Sequence, residues 1–169
     1  MKQIWKPARF WKWRDSMKAL SIWQPWAQLL AVGVKHDETR SWGTSYRGPI
    51  LIHAAKRKMN YSTEFIGLHR SPFYKYFKVM GYGAYENILA LPHGAIIGMA
   101  ELMDCRKIDL EYHDFVRDFC RSDYAFGDFT VGRYAWRMEK PVLFKEPIPA
   151  AGKQGLWNWD GELPELLEV

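Results

Sequence analysis

The chain has only two cysteines in 169 residues, Cys105 and Cys120, with no CxxC and no Cys/His spacing suited to zinc. They read as free, mostly buried thiols in a reducing compartment. No apolar run approaches the ~20 residues that span a bilayer. The opening MKQIWKPARFWKWRDSMK is basic but lacks the apolar block of a signal peptide. A cytoplasmic protein without membrane contact is expected. HExxH, GxSxG, GxGxxG and the P-loop GxxxxGK[ST] are all missing, so zinc hydrolase, serine hydrolase and dinucleotide chemistries lack their parts. The loop at 151–155, AGKQG, resembles an anion-holding turn only loosely. There is no internal repeat and no low-complexity tract. Neither a metal nor a cofactor is expected.

What is abundant is aromatic and basic. Aromatics are 16% of the chain, nine of them tryptophan, and the net charge is +5. Tryptophan serves large cores, and it equally serves as a stacking platform for bases. The charge is uneven. Residues 1–18 hold six Lys/Arg against Asp15, whereas 160–169 hold Asp160, Glu162, Glu165 and Glu168 with no base. This divides the chain into a basic, aromatic extension at 1–16, one domain at 17–159 and an acidic tail at 160–169. A domain of this length buries a core without disulfides or metals.

Hydrophobic periodicity predicts strands near 18–23, 36–42, 49–55, 95–105, 133–139 and 141–145. Pro25 starts a helix, Trp26, Leu29 and Leu30 supply its apolar stripe, and Gly33 stops it. Residues 61–80 read as partly helical, broken by Pro72, in an insertion packed outside a sheet. Gly98 marks a bulge or a close approach in its strand. Residues 110–121 read as a short amphipathic helix with Leu110, Phe115, Val116 and Phe119 on one side, and 146–155 as a Pro/Gly-rich turn. Short strands and helices without regular alternation point to an α+β fold, a small β-barrel with flanking helices.

The densest chemistry lies at 20–56, where Gly33, Lys35, Glu38 and Arg40 form G-x-K-x-x-E-x-R. The two-residue period of a strand puts Glu38 beside Arg40 and turns Asp37, Thr39 and Ser41 to the other face. Lysine and arginine together hold a phosphate, while the carboxylate fixes the arginine or accepts from a base amino group. The same residues also read as a surface ion pair worth under ~1 kcal/mol. Trp42, Tyr46, Arg47, His53 and Lys56 interleave rings with cations, as single-stranded nucleic acid requires. They equally read as lids of a barrel core around a satisfied core histidine. In Gly132-Arg133-Tyr134-Ala135-Trp136, the glycine beside Arg133 allows a close approach to phosphate, or simply marks a turn.

Four blocks in order resemble the ASCH family, the activating-signal-cointegrator homology domain, related to PUA-like RNA-binding barrels. They are Leu20-Ser21-Ile22 with Gln24-Pro25-Trp26-Ala27, the Gly33/Lys35/Glu38/Arg40 signature, Tyr46-Arg47-Gly48-Pro49 running into Ile52-His53-Ala54, and Gly132–Trp136 with Gly155-Leu156-Trp157. The resemblance implies a PUA-like barrel whose cleft, lined by the signature, binds RNA or modified nucleotides, with family links to RNA metabolism and coactivation. The candidate nucleic-acid-binding residues are then Gln24, Lys35, Glu38, Arg40, Trp42, Tyr46, His53, Lys56 and Arg133. A bacterial branch of the family hydrolyses N4-acetylcytidine with a lysine, a threonine three residues later and a later glutamate. Here Lys35 matches the lysine, Glu38 takes the threonine's place, and Thr39 is one residue off, on the opposite face.

Three readings follow. The first is a module binding single-stranded RNA or a nucleotide, with DNA as another ligand, in RNA metabolism or regulation. Lys35, Arg40 and Lys56 would meet phosphate, and Trp42 or Tyr46 would stack. The second is an enzyme, a nucleoside amidohydrolase or ribonuclease, with Lys35 as base or electrostatic stabiliser and Glu38 as general acid/base. The third is a protein-interaction module using Trp5, Trp11, Trp13 and the acidic tail. The sequence leaves the oligomeric state open.

Overall fold

A computed structural model describes residues 4–5, 17–161, 163 and 167–168. Most of the predicted 1–16 extension and 160–169 tail lies outside these residues. What is described there is a two-residue antiparallel ladder joining strand β1 (Ile4–Trp5) to Leu167–Glu168.

The main sheet has six strands. In chain order they are β2 (Met17–Ile22), β3 (Asp37–Arg40), β4 (Gly48–Ala54), β5 (Ala95–Lys107), β6 (Tyr134–Pro149) and β7 (Leu156–Trp159). Their order across the sheet is β3-β6-β5-β4-β2-β7. Only β2 and β4 pair in parallel; every other neighbour is antiparallel. The sheet is barrel-like without closing, since β3 and β7 are its two free ends. It is the expected α+β architecture. Alternation along β2 and β4 buries both faces. Leu20, Ile22, Ile50 and Ile52 pack with Ile97, Leu102 and Trp136 on one side, and Ala19 and Leu51 pack with Met99, Phe144 and Trp157 on the other.

Two strands predicted separately are one. β6 continues through Lys140 and Pro141 because both are extruded opposite Ala100, where the ladder with β5 shifts from Glu139–Glu101 to Val142–Met99. Lys140 takes a positive φ of 49° there, and the bulge spares Pro141 a ladder hydrogen bond it could not donate. The strand then runs into the predicted 146–155 turn as far as Pro149, because Ile148 and Pro149 still pair with Ile96 and Ala95. Gly98 sits beside another shift. A Cβ there would stand 2.4 Å from the Val142 carbonyl, so only glycine lets the two backbones close up.

Helix α1 (Trp26–Ala31) follows β2, and Leu29, Leu30 and Ala31 sink into the core. The insertion is a π-helical turn (Tyr61–Phe65) followed by α2 (Ile66–Arg70), α3 (Tyr74–Val79) and α4 (Tyr85–Leu89). Phe77 of α3 packs with Leu29. The helix predicted at 110–121 is α5 (Leu110–Phe119), followed by α6 (Arg121–Phe126). Its predicted apolar side is mostly not its buried side. Leu110, Phe115 and Phe119 are exposed, while Tyr112, Val116 and Cys120, at i, i+4 and i+8, pack with Ile108, Phe129 and Ala135. Cys105 and Cys120 are free and half-buried. No described helix is long and apolar enough to cross a membrane.

Candidate functional site

The site begins with the turn after α1. The Leu29 carbonyl accepts from both the Val34 and Lys35 N–H, which folds the chain back at Gly33. Gly33 has φ +76°, in the left-handed region that glycine adopts without a Cβ penalty. Lys35 is thereby directed inward rather than to solvent. It is 2% exposed, and its Nζ donates to the Asp37 carbonyl at 2.8 Å and to Glu38 Oε2. β3 then pairs with β6, setting Glu38 opposite Trp136 and Arg40 opposite Tyr134.

Arg40 lies on the Glu38 side of β3. Its Nε stands 3.0 Å from Glu38 Oε1, an ion-pair approach without hydrogen-bond alignment, and its Nη2 donates to the Ser21 carbonyl at 2.8 Å. Burial pushes the Glu38 carboxyl up. Lys35 and then Arg40 outweigh it, so the group is held below the ordinary carboxylate range. Glu38 is therefore a fixed anion clamped between two cations.

This clamp is the floor of a cleft of about 560 Å³. Ser21, Ile22 and Trp23 form one wall where β2 ends, joined by Trp26 at the start of α1. Thr39, Ser41 and Trp42 form the second wall, and Ala125–Asp128 with Arg133 the third. Trp42 is held edge-on to Trp136 at 4.6 Å between ring centroids, and its carbonyl accepts from Trp136 Nε1. Trp23 is 49% exposed, with the Arg57 guanidinium 3.9 Å over its ring. Arg133 is braced by Asp128, whose carboxylate lies 3.2 Å from its Nε, and remains partly open to solvent. Gly127 is required by crowding, since a Cβ would stand 2.6 Å from the Phe129 ring and 3.1 Å from Thr39.

Of the nine candidate residues, Lys35, Glu38, Arg40, Trp42 and Arg133 come together in this cleft, while Gln24, Tyr46, His53 and Lys56 do not line it. Gln24 is buried and structural in its contacts, donating to the Pro92 carbonyl and accepting from the Gln28 N–H. Tyr46 donates to the Pro49 carbonyl and packs on the core. His53 is 1% exposed; Nδ1 faces Ser21 Oγ at 3.1 Å and Nε2 faces the Ala150 carbonyl at 3.0 Å. Burial holds its pKa below the ordinary histidine value, which favours the neutral ring. Lys56 is exposed, beside Gly94. Trp23, Trp26 and Asp128 are cleft residues that sequence reasoning did not assign. The sequence signal for the first two is the pair of tryptophans flanking Gln24-Pro25, of which Trp26 reads as part of a helix's apolar stripe.

Thr39 points away from the clamp, its Oγ1 accepting from the Asp128 N–H. The other face of β3 carries a second buried carboxylate. Asp37 Oδ2 accepts from the Tyr112 hydroxyl at 2.7 Å, but among the described residues Oδ1 has only Arg137 at 3.7 Å. Burial is the main cause of a raised Asp37 pKa, and nearby Asp123 adds to it. Among the described residues, no three His, Cys, Asp or Glu side chains gather as a metal site.

The ASCH domain family matches residues 20–144, from β2 into β6. The chain belongs to the ASCH domain family. It is 33% identical over 152 residues to activating signal cointegrator 1 of Homo sapiens and 26% identical to that of Mus musculus, each match covering 88% of this chain. The chain spans 23% of the length of these curated relatives. Among solved structures, a mutant of the ZmASCH protein from Zymomonas mobilis shares the fold, with a TM-score of 0.50 at 15% identity. That match covers 86% of this chain and 89% of the other.

Proposed function

We propose that this ASCH domain binds single-stranded RNA by seating one nucleotide in the cleft between β2, β3 and the 125–128 segment at the end of α6. The observation that carries the reading is the combination of three tryptophans in the walls with Arg40 and Arg133 at the cleft surface. Rings offer stacking faces to a base, and guanidiniums offer paired donors to a phosphate. Arg40 is fixed in place by Glu38 and the Ser21 carbonyl, so little side-chain entropy is lost on binding. Lys35 contributes from beneath by fixing Glu38.

An acid–base enzyme is less well supported by the same geometry. Lys35 is committed to two acceptors, and Glu38 is held ionised by its neighbours, so it is poorly disposed to donate a proton near neutral pH. Incubation with N4-acetylcytidine is expected to release no cytidine; multiple turnovers abolished by Lys35→Ala and Glu38→Gln would replace the binding reading. The direct test is titration of a labelled oligouridylate at several salt concentrations. Binding should weaken with a log–log slope of roughly −0.7 per phosphate contact. Affinity independent of salt would remove the phosphate contacts from the account. A protein partner and a cytoplasmic setting belong to the same proposal.

A further inference from the structure

The cleft wall formed by Trp23 is linked to a second concavity. Arg57 stacks over Trp23 and pairs with Glu64 in the π-helical turn. That turn forms one side of another cleft of about 370 Å³, completed by His69, Gly83 and Tyr85. Its surface is aromatic. Tyr61 is 51% exposed, stacks on Phe65 with centroids 5.7 Å apart, and meets Tyr85 edge-on at 5.1 Å. The segment that carries it is basic. Residues 56–89 carry six Lys/Arg against Glu64 and Glu86 alone. Arg70 is exposed at the end of α2, and Lys78 is exposed and packs against Gly83 on the cleft wall.

We infer that the insertion is a second subsite for the same polynucleotide: a neighbouring base stacks on Tyr61, and the backbone passes Arg57 on its way from the first cleft. This rests on the RNA reading above and extends it. An exposed ring set among cations is what a single strand requires, since every base has a stacking face and every linkage a charge. Arg57 itself touches both a wall residue of the first cleft, Trp23, and the turn that lines the second, through Glu64.

The test compares a uridine trinucleotide with an oligouridylate of about twelve nucleotides, a length within the usual site size of single-strand binders, on the full chain. The longer strand should bind more tightly. Tyr61→Ala should weaken it about tenfold while leaving trinucleotide affinity unchanged, as expected for loss of one stacked base. The double variant Arg70→Ala, Lys78→Ala removes surface charge without touching a core ring. It should make the salt slope for the long strand shallower by about 0.7 for each phosphate no longer neutralised. Long-strand affinity and slope unchanged in both variants would overturn the second subsite. Equal weakening of both ligands by Tyr61→Ala would also overturn it, placing the tyrosine's effect in the first cleft. Polyglutamate displacing RNA at matched charge would overturn base stacking in favour of an acidic protein partner. Arg40→Ala separates the two proposals, because it should weaken both ligands. If it weakens neither while Tyr61→Ala still acts on the long strand, the first-cleft reading fails and the insertion stands as a site by itself.

Discussion

Glu38 and Asp37 are adjacent carboxylates on a four-residue strand, both buried, yet the protein shifts them in opposite directions. On the cleft face Glu38 meets two cations at close range and stays below its ordinary pKa. On the face toward α5 and α6, Asp37 has one tyrosine hydroxyl, a distant arginine and a neighbouring Asp123, and it rises. Burial acts on both; the partners decide the sign. The contrast separates a cleft face whose charges are locked from a packing face that tolerates an under-satisfied acid. The proposed role of Arg40 in holding a ligand calls for the first arrangement.

The sharpest way to break this contrast is to remove its central cation. Lys35→Met should cost about 3 kcal/mol by leaving Glu38 short of a buried partner. For a chain of this size that is a fall of roughly 6–12 °C in Tm, read by thermal unfolding. A change within 1 °C would mean that the clamp is energetically idle. Glu38→Gln should cost somewhat less, about 2 kcal/mol at pH 7. The pH dependence has a definite sign. A carboxyl held below its unfolded pKa of ~4.3 contributes stability above that value and loses it as pH falls through the folded value. The deficit of Glu38→Gln relative to the parent should therefore shrink as the solution is acidified.

Asp37→Asn should go the other way. The folded pKa of Asp37 is raised, so its stabilising share is fully present below the unfolded value of ~3.9 and is lost as pH rises through the folded value. An asparagine keeps an acceptor for Tyr112 and removes the buried charge. The variant should gain about 1 kcal/mol at neutral pH, with the gain vanishing in acid, as measured by urea unfolding across that range. Destabilisation at neutral pH would show that Arg137 holds Asp37 ionised to useful effect. Arg137→Gln sharpens the same point with the smallest change, about 0.5 kcal/mol or less, because that pair is long and half-exposed.

The parts legible in the sequence were those set by local rules. Period-two alternation placed Glu38 with Arg40 and turned Thr39 away, and Gly33 marked the turn that carries Lys35 inward. Illegible parts depend on chain segments that meet only in the fold. His53 is satisfied by the Ala150 carbonyl and Ser21 Oγ, neither a sequence neighbour, so its strand pattern could not reveal its partners. The Asp128 N–H reaches Thr39, and Arg133 is braced by the same loop, which is why the third cleft wall went unseen. On α5 the largest apolar side chains lie on the exposed side, and the buried stripe runs through Tyr112, Val116 and Cys120. Hydrophobic periodicity therefore selected the wrong side. Lys140 and Pro141 resembled a strand break because a bulge has the composition of a turn.

The central claim is that ligand contact belongs to the cleft face of β3 and not to its packing face. Two arginines on this part of the sheet decide it: Arg40, beside Glu38, and Arg137, beside Asp37. Affinity for a labelled oligouridylate should be measured for Arg40→Ala and Arg137→Ala, well below the Tm of each. The account predicts a loss of about tenfold or more for Arg40→Ala, in keeping with removal of a charge-assisted contact, and a change within about twofold for Arg137→Ala. Equal losses, or a larger loss at Arg137, would contradict it.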